Sequence, residues 1–519
     1  MTNSNTDFSE NISELNLYQK GLLAVLFAVF IIIGINIAGD YGVPWDDHLQ
    51  TAIGKQNLDL ALNGDKSIYQ SHDKYYGSAF ETPLYFIQSF GKSYKTQIFI
   101  RHLATHLYFL FALFIFFKLL LKLFKSYYLS IIGVLFIYLS PRIFAHSFFN
   151  TKDIAFMSAF IISIDTMLRM IDEPNNKRII IHAVASAFLI DIRIIGILIA
   201  VITFSIVIMQ KLFNNSKTIN SKILIKYLFF SIIFVFIFWP SLWYDPLLFA
   251  KSIFRMANFP WRYTNLFDGL FINANEIPWY YIPTWIGITT PFFIIILYII
   301  GGVLLFKSLI KTYDKTISNN NIIYLILIFV PLDLWILFVI ISSVFYDGWR
   351  HLFFFYPLII IGAIYGINFL NNLLKTNAKK NIFIGIITIF IILSAKNIIK
   401  LHPYQHIYFN NIVSHDNNSI RQNWEQDYWG LSYKEGFEKL DNLKSEGILK
   451  VKIANEPGID NCKLVDKNNS KFVIVDSLYE ADYFITNYRF HPEEYNYEKV
   501  DSIYQQGSCI LGIYKLNNK

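Results

Sequence analysis

Long apolar segments separated by polar breaks occupy most of the first 400 residues of the chain. An α-helix needs about 18 or more apolar residues to cross a bilayer, and most of these segments approach or exceed that length. They lie at 21–38, 98–120, 127–145, 154–171, 179–190 with 194–210, 227–240, 290–306, 323–344, 352–370 and 382–397. The pattern predicts a mainly α fold, a polytopic transmembrane helix bundle of about 11–13 spans.

The composition supports an integral membrane protein. Hydrophobic residues make up 54% of the chain and charged residues 16%, whereas soluble proteins carry about 25% charged residues. The first apolar segment lacks an Ala-x-Ala cleavage site, so we expect it to be retained as a span. The net charge of +7 does not indicate nucleic-acid binding, because the lysines lie in short loops between the apolar segments.

The loops alternate in character, which predicts their sides of the membrane. One set is short and rich in basic residues: Lys118, Lys122, Lys125; Lys177, Arg178; Lys211, Lys217, Lys222, Lys226; Lys307, Lys311, Lys315; Lys375, Lys379, Lys380. Such loops are typically cytoplasmic. We therefore expect a cytoplasmic N-terminus and an outer location for the long aromatic loops 39–96 and 240–289. The two segments within 179–210 are expected to meet near the outer side.

From about Leu401 the composition becomes that of a soluble domain. Residues 432–447 predict an amphipathic helix, and strands are predicted at 451–455, 472–476, 483–487 and 510–515. We therefore divide the chain into a membrane module, 1–400, and a small outer α/β domain, 401–519. The domain has no phosphate-binding glycine loop, so nothing indicates a nucleotide site. Its two cysteines, Cys462 and Cys509, could pair in an oxidising compartment, which the sequence does not decide.

An acidic pair, Asp46-Asp47, follows the first apolar segment and the Gly39–Trp45 turn. Adjacent carboxylates repel, which favours a raised pKa for one of them. At the mouth of a lipid-facing cavity, such a pair suits proton abstraction from an acceptor hydroxyl. The alternative is that both residues simply cap a helix at the membrane surface.

Three further polar clusters fall on the same predicted side: residues 140–153, residues 346–351, and Arg101 with His102 and His106. Ionisable residues at membrane depth are costly and often functional. Basic residues at headgroup level suit a phosphate, or they reach ordinary lipid headgroups. We favour function for Arg142, Lys152 and Arg350. For Arg101 we favour contact with ordinary lipid phosphates. His102 and His106 have metal-ligand spacing without an accompanying Glu, so we favour a packed or interfacial pair for them. Asp191 and Arg193 are expected to neutralise each other.

Several blocks resemble those of membrane glycosyltransferases with the GT-C fold, family 39, the protein O-mannosyltransferase and aminoarabinose-transferase-like group. The blocks that resemble bacterial members are Trp45-Asp46-Asp47, Ser140-Pro141-Arg142 through Asn150-Thr151-Lys152-Asp153, Pro278-Trp279-Tyr280-Tyr281 to Thr289-Thr290-Pro291, Tyr346-Asp347-Gly348-Trp349-Arg350-His351, His402 through Asn410, and Asp427 through Ser432. Together they cover nearly the whole chain. Asp47 stands where many members have Glu, which leaves its role open.

The resemblance implies an inverting transferase of the bacterial inner membrane that uses a polyprenyl-phosphate-linked sugar as donor. We expect Asp46 to be the general base, with Asp47 and Asp153 beside it. Arg350, Lys152, Arg142 and His351 are expected to bind the donor phosphate. Aromatic and polar candidates for substrate contact are Trp45, Trp279, Tyr280 and His146; the aromatic residues could equally form an interfacial belt.

The expected partners are the lipid-linked sugar, an acceptor glycan, lipid or protein, and membrane lipids, without nucleic acid. No metal cofactor is expected to be obligatory, although a divalent cation between Asp46 and Asp153 stays an alternative. Two other functions compete. A transporter or flippase for lipid-linked sugars typically shows repeated halves with a midplane site, and no such repeat is visible here. A membrane anchor for the C-terminal domain would leave the outer acids and bases without a purpose.

Overall fold

The computed structural model describes residues 14–214, 221–261, 263–311, 319–443, 447–466 and 470–516. Lys217, Lys315 and the last residues of the predicted C-terminal domain lie outside this part of the chain. The helices of residues 1–401 are α1 Leu17–Ile37, α2 Asp47–Asn63, α3 Glu81–Gln88, α4 Tyr94–Phe124, α5 Tyr127–Tyr138, α6 Pro141–Phe149, α7 Asp153–Asp172, α8 Asn176–Ile192, α9 Leu198–Asn214, α10 Ser221–Phe238, α11 Leu248–Ala257, α12 Tyr281–Thr289, α13 Phe292–Lys311, α14 Asn319–Ile340, α15 Tyr356–Leu373 and α16 Asn377–Leu401.

The predicted helix bundle is confirmed, but with fewer candidate spans than expected. Within the described ranges, nine helices are long and apolar enough to cross a membrane, and α5 with α6, bent by 68°, would form a tenth. The eleventh expected segment is α8, whose 17 residues extend roughly 25 Å at about 1.5 Å per residue. That is shorter than a hydrocarbon core of about 30 Å.

Buried helices hold the polar loops at one end of the bundle. Helix α7 lies at the centre, with 89% of its apolar window buried, and α4 and the 350–373 segment pack around it. Pro141 stands at the first turn of α6, where its missing N–H costs nothing. The axes of α5 and α6 differ by 68° at this break. Residues 151–153, which follow α6, lie beside the loop after α1, to which Arg101 and Arg350 connect them.

The C-terminal region contains α17 Ser419–Asn423, α18 Ser432–Leu443, α19 Gly458–Val465, and the strands β3 Leu449–Ile453, β4 Phe472–Ile474, β5 Tyr483–Thr486, β6 Glu498–Gln505 and β7 Ser508–Lys515. The sheet order is β4-β3-β5-β7-β6, parallel on the first two pairings and antiparallel on the last two. All four predicted strands are present within two residues at their starts. Sequence reasoning missed β6. Cys462 and Cys509 are buried and unpaired.

The chain also forms a hairpin before α12, from β1 Thr264–Phe267 and β2 Leu270–Asn273. Its turn, Asp268-Gly269, has φ of 51° and 77°, the left-handed conformation that two-residue hairpins require. The Asp-Gly pair is a strong hairpin signal that our sequence reading did not use.

The C-terminal region packs directly on the bundle. The amide of Trp45 donates to the carbonyl of Trp429 at 3.0 Å, and the amide of Asn410 donates to that of Ile288 at 2.8 Å. Phe409 and Trp429 belong to the same hydrophobic core as the helices. This contact brings the C-terminal region up to the acidic loop.

Candidate functional site

A cavity of about 390 Å³ lies at the end of the bundle that contacts the C-terminal region. Its polar side chains gather at one end, from Asp46, Tyr76, Lys152, Arg193, Arg350 and His351. The remaining wall is largely apolar. It comes from the turn before α9 and the first residue of α9, from α11, and from the end of α14 with the residues that follow it: Ile194, Ile197, Leu198, Ile253, Met256, Phe338, Ile341, Val344 and Phe345. The cavity therefore joins a charged end to an apolar trough.

Asp46 lies at this polar end because of how α2 begins. It occupies the N-cap position of α2 but makes no side-chain capping hydrogen bond. Its side chain is 27% exposed and lies 3.3 Å from Nη1 of Arg350. The interpretation that Asp46 only caps a helix is therefore not what the side-chain contacts show.

Arg350 links three carboxylates. Its Nη1 lies 3.3 Å from both Asp46 and Asp153, and its Nη2 lies 3.0 Å from Asp347. Asp153 also forms an ion pair with Arg193, and both Asp153 and Asp347 are buried. Arg350 thus occupies the position between Asp46 and Asp153 that a bridging cation would take, and the described residues contain no cluster of three or more His, Cys, Asp or Glu suited to a metal.

Lys152 approaches the cavity beside this network. Its Nζ lies 3.3 Å from the centre of the Tyr76 ring. Burial, followed by the nearby positive charge of Arg193, lowers the pKa of Lys152 to about 7, and the Asp46 charge opposes that shift. The amine therefore gains or loses its charge near neutral pH.

Unpartnered polar atoms surround the same end of the cavity. Nε of Arg193, Nε of Arg350 and Nδ1 of His351 are buried without a hydrogen-bond partner among the described residues. Buried polar groups in native proteins are nearly always hydrogen-bonded, to protein, water or a ligand. The three residues that carry these atoms all line the cavity, so unmet hydrogen-bonding capacity lies at its polar end.

Asp47 faces away from the cavity, into a closed cluster of its own. Arg101 donates to Asp47 at 2.7 Å, to Glu81 at 2.8 Å and to Thr151 at 3.2 Å, and Thr151 donates to Glu81. Arg101 is fully buried. The expected interfacial role for Arg101 is therefore wrong, and Asp47 lies beside Asp46 in sequence only.

Four other expected site residues neither line the cavity nor contact the residues of its ion-pair network. Arg142 donates to the carbonyl of Tyr408 at 2.9 Å and lies over the Phe409 ring, which places it at the contact with the C-terminal region. His146 is packed among aromatic rings. Trp279 and Tyr280 are exposed, 61% and 46%, and Trp279 packs on Trp335 of α14. The structure does not bring these four side chains to Asp46.

The histidines expected to be packed are indeed buried. His102 Nδ1 lies 3.0 Å from the carbonyl of Ala38. His106 stacks on Phe148, with ring centres 4.1 Å apart. Their imidazoles point to different neighbours rather than to a shared ligand.

Sequence reasoning missed several residues of the site. Arg193 was expected to neutralise Asp191, but it pairs with Asp153, and Asp191 instead accepts a hydrogen bond from the amide of Ala79 at 2.8 Å. A Cβ on Gly77 would overlap the Asp191 carboxylate, so this contact fixes the Tyr76 segment along the cavity wall. A charge that interrupts an apolar segment was the available signal for Arg193.

Trp45 lies next to Asp46 in the chain and contacts the C-terminal region. The guanidinium of Arg489 lies 4.3 Å from the centre of its ring. Arg489 also forms an ion pair with Asp347 at 2.7 Å. No local pattern marks Arg489, which is more than 440 residues from Asp46 in the sequence.

Comparison with known proteins adds a likeness at the level of overall structure. No protein-family model matches the chain, and no curated protein sequence matches it. The resemblance to family 39 therefore stays a prediction. Solved structures that are similar to the chain include two of ArnT from Cupriavidus metallidurans, both at 9% identity over 95% of this chain and 98% of that one: the apo state, with a TM-score of 0.47, and the form bound to undecaprenyl phosphate, with a TM-score of 0.43.

Proposed function

We propose that the chain is an integral membrane glycosyltransferase that moves a sugar from a polyprenyl-phosphate donor to an acceptor hydroxyl. The observation that carries the proposal is the cavity of about 390 Å³, whose apolar trough leads to a partly exposed carboxylate surrounded by cationic side chains. A lipid-linked sugar has the same division into an isoprenoid chain, a phosphate and a polar ring. The reaction would occur at the outer face, where we expect the C-terminal region.

The charges at the polar end suit one phosphodiester. Three carboxylates, Asp46, Asp153 and Asp347, face three arginines, Arg193, Arg350 and Arg489. Protonated Lys152 then leaves one positive charge in excess, which a singly charged donor phosphate would neutralise. Charge-assisted hydrogen bonds to phosphate oxygens are strong, and Lys152, Arg193 and Arg350 all line the cavity that would receive the phosphate.

Asp46 is the carboxylate best suited to act as general base. Asp153 and Asp347 each pair with two arginines and are nearly inaccessible. Asp46 is partly exposed to the cavity, and its 3.3 Å contact with Arg350 is longer than the roughly 2.7–2.9 Å of a strong charge-assisted bond. Its oxygens therefore have room to accept a proton from an acceptor.

In the proposed reaction, the acceptor hydroxyl transfers its proton to Asp46 as its oxygen attacks the anomeric carbon. The bond between that carbon and the phosphate oxygen breaks, and the electron pair leaves with the phosphate. Attack from the face opposite the leaving group inverts the anomeric configuration. Arg350 and Lys152 would stabilise the extra negative charge on the departing polyprenyl phosphate.

The test uses the purified full-length protein in detergent with a panel of polyprenyl-phosphate sugars. Free polyprenyl phosphate is measured, because water can serve as a poor acceptor. We expect release by the wild type with at least one donor and a loss of release on the order of 10³ for Asp46→Asn. Asp40→Asn, which changes a carboxylate in the same loop outside the cavity, should release at the wild-type rate. Equal release by Asp46→Asn would exclude Asp46 as the base. Lipid flipping in vesicles, without release from any donor, would favour the transporter instead.

A further inference from the structure

Arg489 connects the C-terminal region to the candidate site. It follows β5, and its Nη2 lies 2.7 Å from Oδ1 of Asp347 in the membrane module. Its Nη1 donates to the carbonyl of Tyr428 at 2.6 Å, and its guanidinium lies over the ring of Trp45, next to Asp46. One side chain therefore touches the acidic loop, the 346–351 turn and the C-terminal region.

The contact with Asp347 connects Arg489 to the proposed base. Asp347 uses its other oxygen, Oδ2, to bind Nη2 of Arg350 at 3.0 Å. Arg350 in turn uses Nη1 for Asp46 and Asp153. With Arg489 present, the charge of Asp347 is divided between two arginines, and Arg350 keeps one nitrogen for Asp46.

No second charged carboxylate competes with Asp347 for Arg489 at this position. Glu425 is the other acid at this position, and burial, together with the negative charge of Asp347, raises the pKa of Glu425. A neutral Glu425 leaves Asp347 as the charged partner of Arg489. Loss of Arg489 would therefore leave one buried carboxylate with Arg350 as its remaining cation.

The backbone around Arg489 has an unusual conformation. Tyr488 and Phe490 on either side have φ of 57° and 64°, the left-handed region that costs a bulky residue free energy. Asn487 and Asn455 hold this segment, since Asn455 donates to Asn487 Oδ1 at 3.1 Å and Asn487 Oδ1 accepts from the Arg489 amide at 3.3 Å. Backbone strain of this kind often accompanies a functional requirement on the enclosed side chain.

We propose that Arg489 is a positioning residue through which the C-terminal region sets the Asp46–Arg350 pair for reaction, so that the membrane module alone has an incomplete site. The proposal rests on the proposed transferase function. Without Arg489, Asp347 would draw Arg350 towards itself and away from Asp46. The base would lose its orientation, and uncompensated negative charge beside it would make loss of its proton less favourable.

The experiment compares Arg489→Gln with Arg421→Gln, using the donor found active in the release assay. Arg421 is a matched control because it is a buried arginine of the same region, paired with Glu494 at 2.9 Å and lying over Tyr488. We expect Arg489→Gln to lower kcat by roughly 10- to 100-fold through misplacement of the base, with donor KM changed less than about threefold. We expect the acid limb of the variant's pH–rate profile, where activity falls as the base becomes protonated, to move up by about one pH unit.

Two variants separate positioning from loss of structure. Adding Asp347→Asn to Arg489→Gln should return the acid limb towards that of the wild type, because it removes the uncompensated charge. Arg489→Lys should retain more activity than Arg489→Gln. Arg421→Gln is expected to lower thermal stability while keeping the wild-type pH profile.

The outcomes distinguish this inference from the function on which it rests. A wild type that turns over the donor, with Arg489→Gln matching Arg421→Gln in kcat and pH profile, would overturn the positioning role alone. A fall in donor affinity without a fall in kcat would overturn it as well. A wild type that releases nothing from any donor would overturn both.

Discussion

Asp46 and Asp47 are neighbours in the sequence, yet they belong to two different charged clusters. The first cluster, which we call the open cluster, consists of Asp46, Lys152, Arg193 and Arg350, which line the cavity, and of Asp153, Asp347 and Arg489, which are joined to them by ion pairs. The closed cluster consists of Asp47, Glu81, Gln88, Arg101 and Thr151 and is buried between α2, α3 and α4. The start of α2 points the two carboxylates in different directions.

The two clusters differ in accessibility and in the lengths of their ion pairs. In the closed cluster the Arg101–Asp47 distance is 2.7 Å and both side chains are nearly inaccessible. In the open cluster the Arg350–Asp46 distance is 3.3 Å and Asp46 is partly exposed. The groups of the closed cluster are hydrogen-bonded to one another within the protein, whereas the open cluster has a partly exposed carboxylate and unpartnered donor atoms.

The largest expected effect is the loss of stability on breaking the closed cluster. Arg101→Met would leave Asp47 and Glu81 buried without their cation, which costs about 3–5 kcal/mol for a buried pair. We expect a clear fall in the unfolding temperature in detergent, while donor release per folded molecule stays within about threefold of the wild type. The triple variant with Asp47→Asn and Glu81→Gln should recover part of the lost stability. A loss of turnover without a loss of stability would mean that the closed cluster takes part in the reaction.

The next effect is a pH dependence specific to the open cluster. Burial and Arg193 hold the pKa of Lys152 at about 7, so its amine is charged below that pH and neutral above it. The donor is a phosphodiester that keeps its single charge throughout. Donor affinity should therefore weaken as the pH rises from 6 to 9, by roughly tenfold, the equivalent of about 1.4 kcal/mol. Bound phosphate would stabilise the charged amine and move the midpoint above 7.

This pH dependence is measured by titrating a non-hydrolysable analogue of the active donor into the detergent-solubilised protein. Lys152→Met should bind more weakly at pH 6 and show little change up to pH 9. Lys251→Met is the control, because Lys251 is an exposed residue of α11 paired with Asp245. The control should follow the wild-type curve. A Lys152→Met curve parallel to that of the wild type would assign the titration to another group.

The smallest effect is expected at an aromatic residue outside the open cluster. Trp279 was a candidate for substrate contact by sequence, but it is exposed and packs on Trp335 away from the cavity. Trp279→Leu should change donor release by less than about twofold, as expected for a surface substitution. A tenfold loss in the release assay would show that the acceptor or donor extends to this surface.

The fold was largely predictable because its signals are local. The apolar segments located the bundle helices, and period-two alternation located four strands of the C-terminal sheet. Helix α8 is the exception, since its apolar run is real but its 17 residues are short for a span. The hairpin turn Asp268-Gly269 carried a local signal that could have been used.

The site was predictable only in part. Asp46, Lys152, Arg350 and His351 were identified from short polar blocks, and the structure brings all four to one cavity. The division of roles between Asp46 and Asp47 depends on which side each side chain takes at the first turn of α2. Partners such as Arg193 and Arg489 come from distant parts of the chain, and a single sequence contains no pattern that pairs them with Asp153 and Asp347.

The most direct test of this account measures Asp46→Asn and Asp47→Asn side by side, with donor release per folded molecule and the unfolding temperature recorded for each. We predict that Asp46→Asn loses release by a factor on the order of 10³, as for removal of a general base, and keeps the wild-type unfolding temperature. We predict that Asp47→Asn unfolds at a lower temperature and retains most of its release per folded molecule. The opposite pattern, or equal losses of release in both variants, would contradict the assignment of the open cluster as the site of reaction.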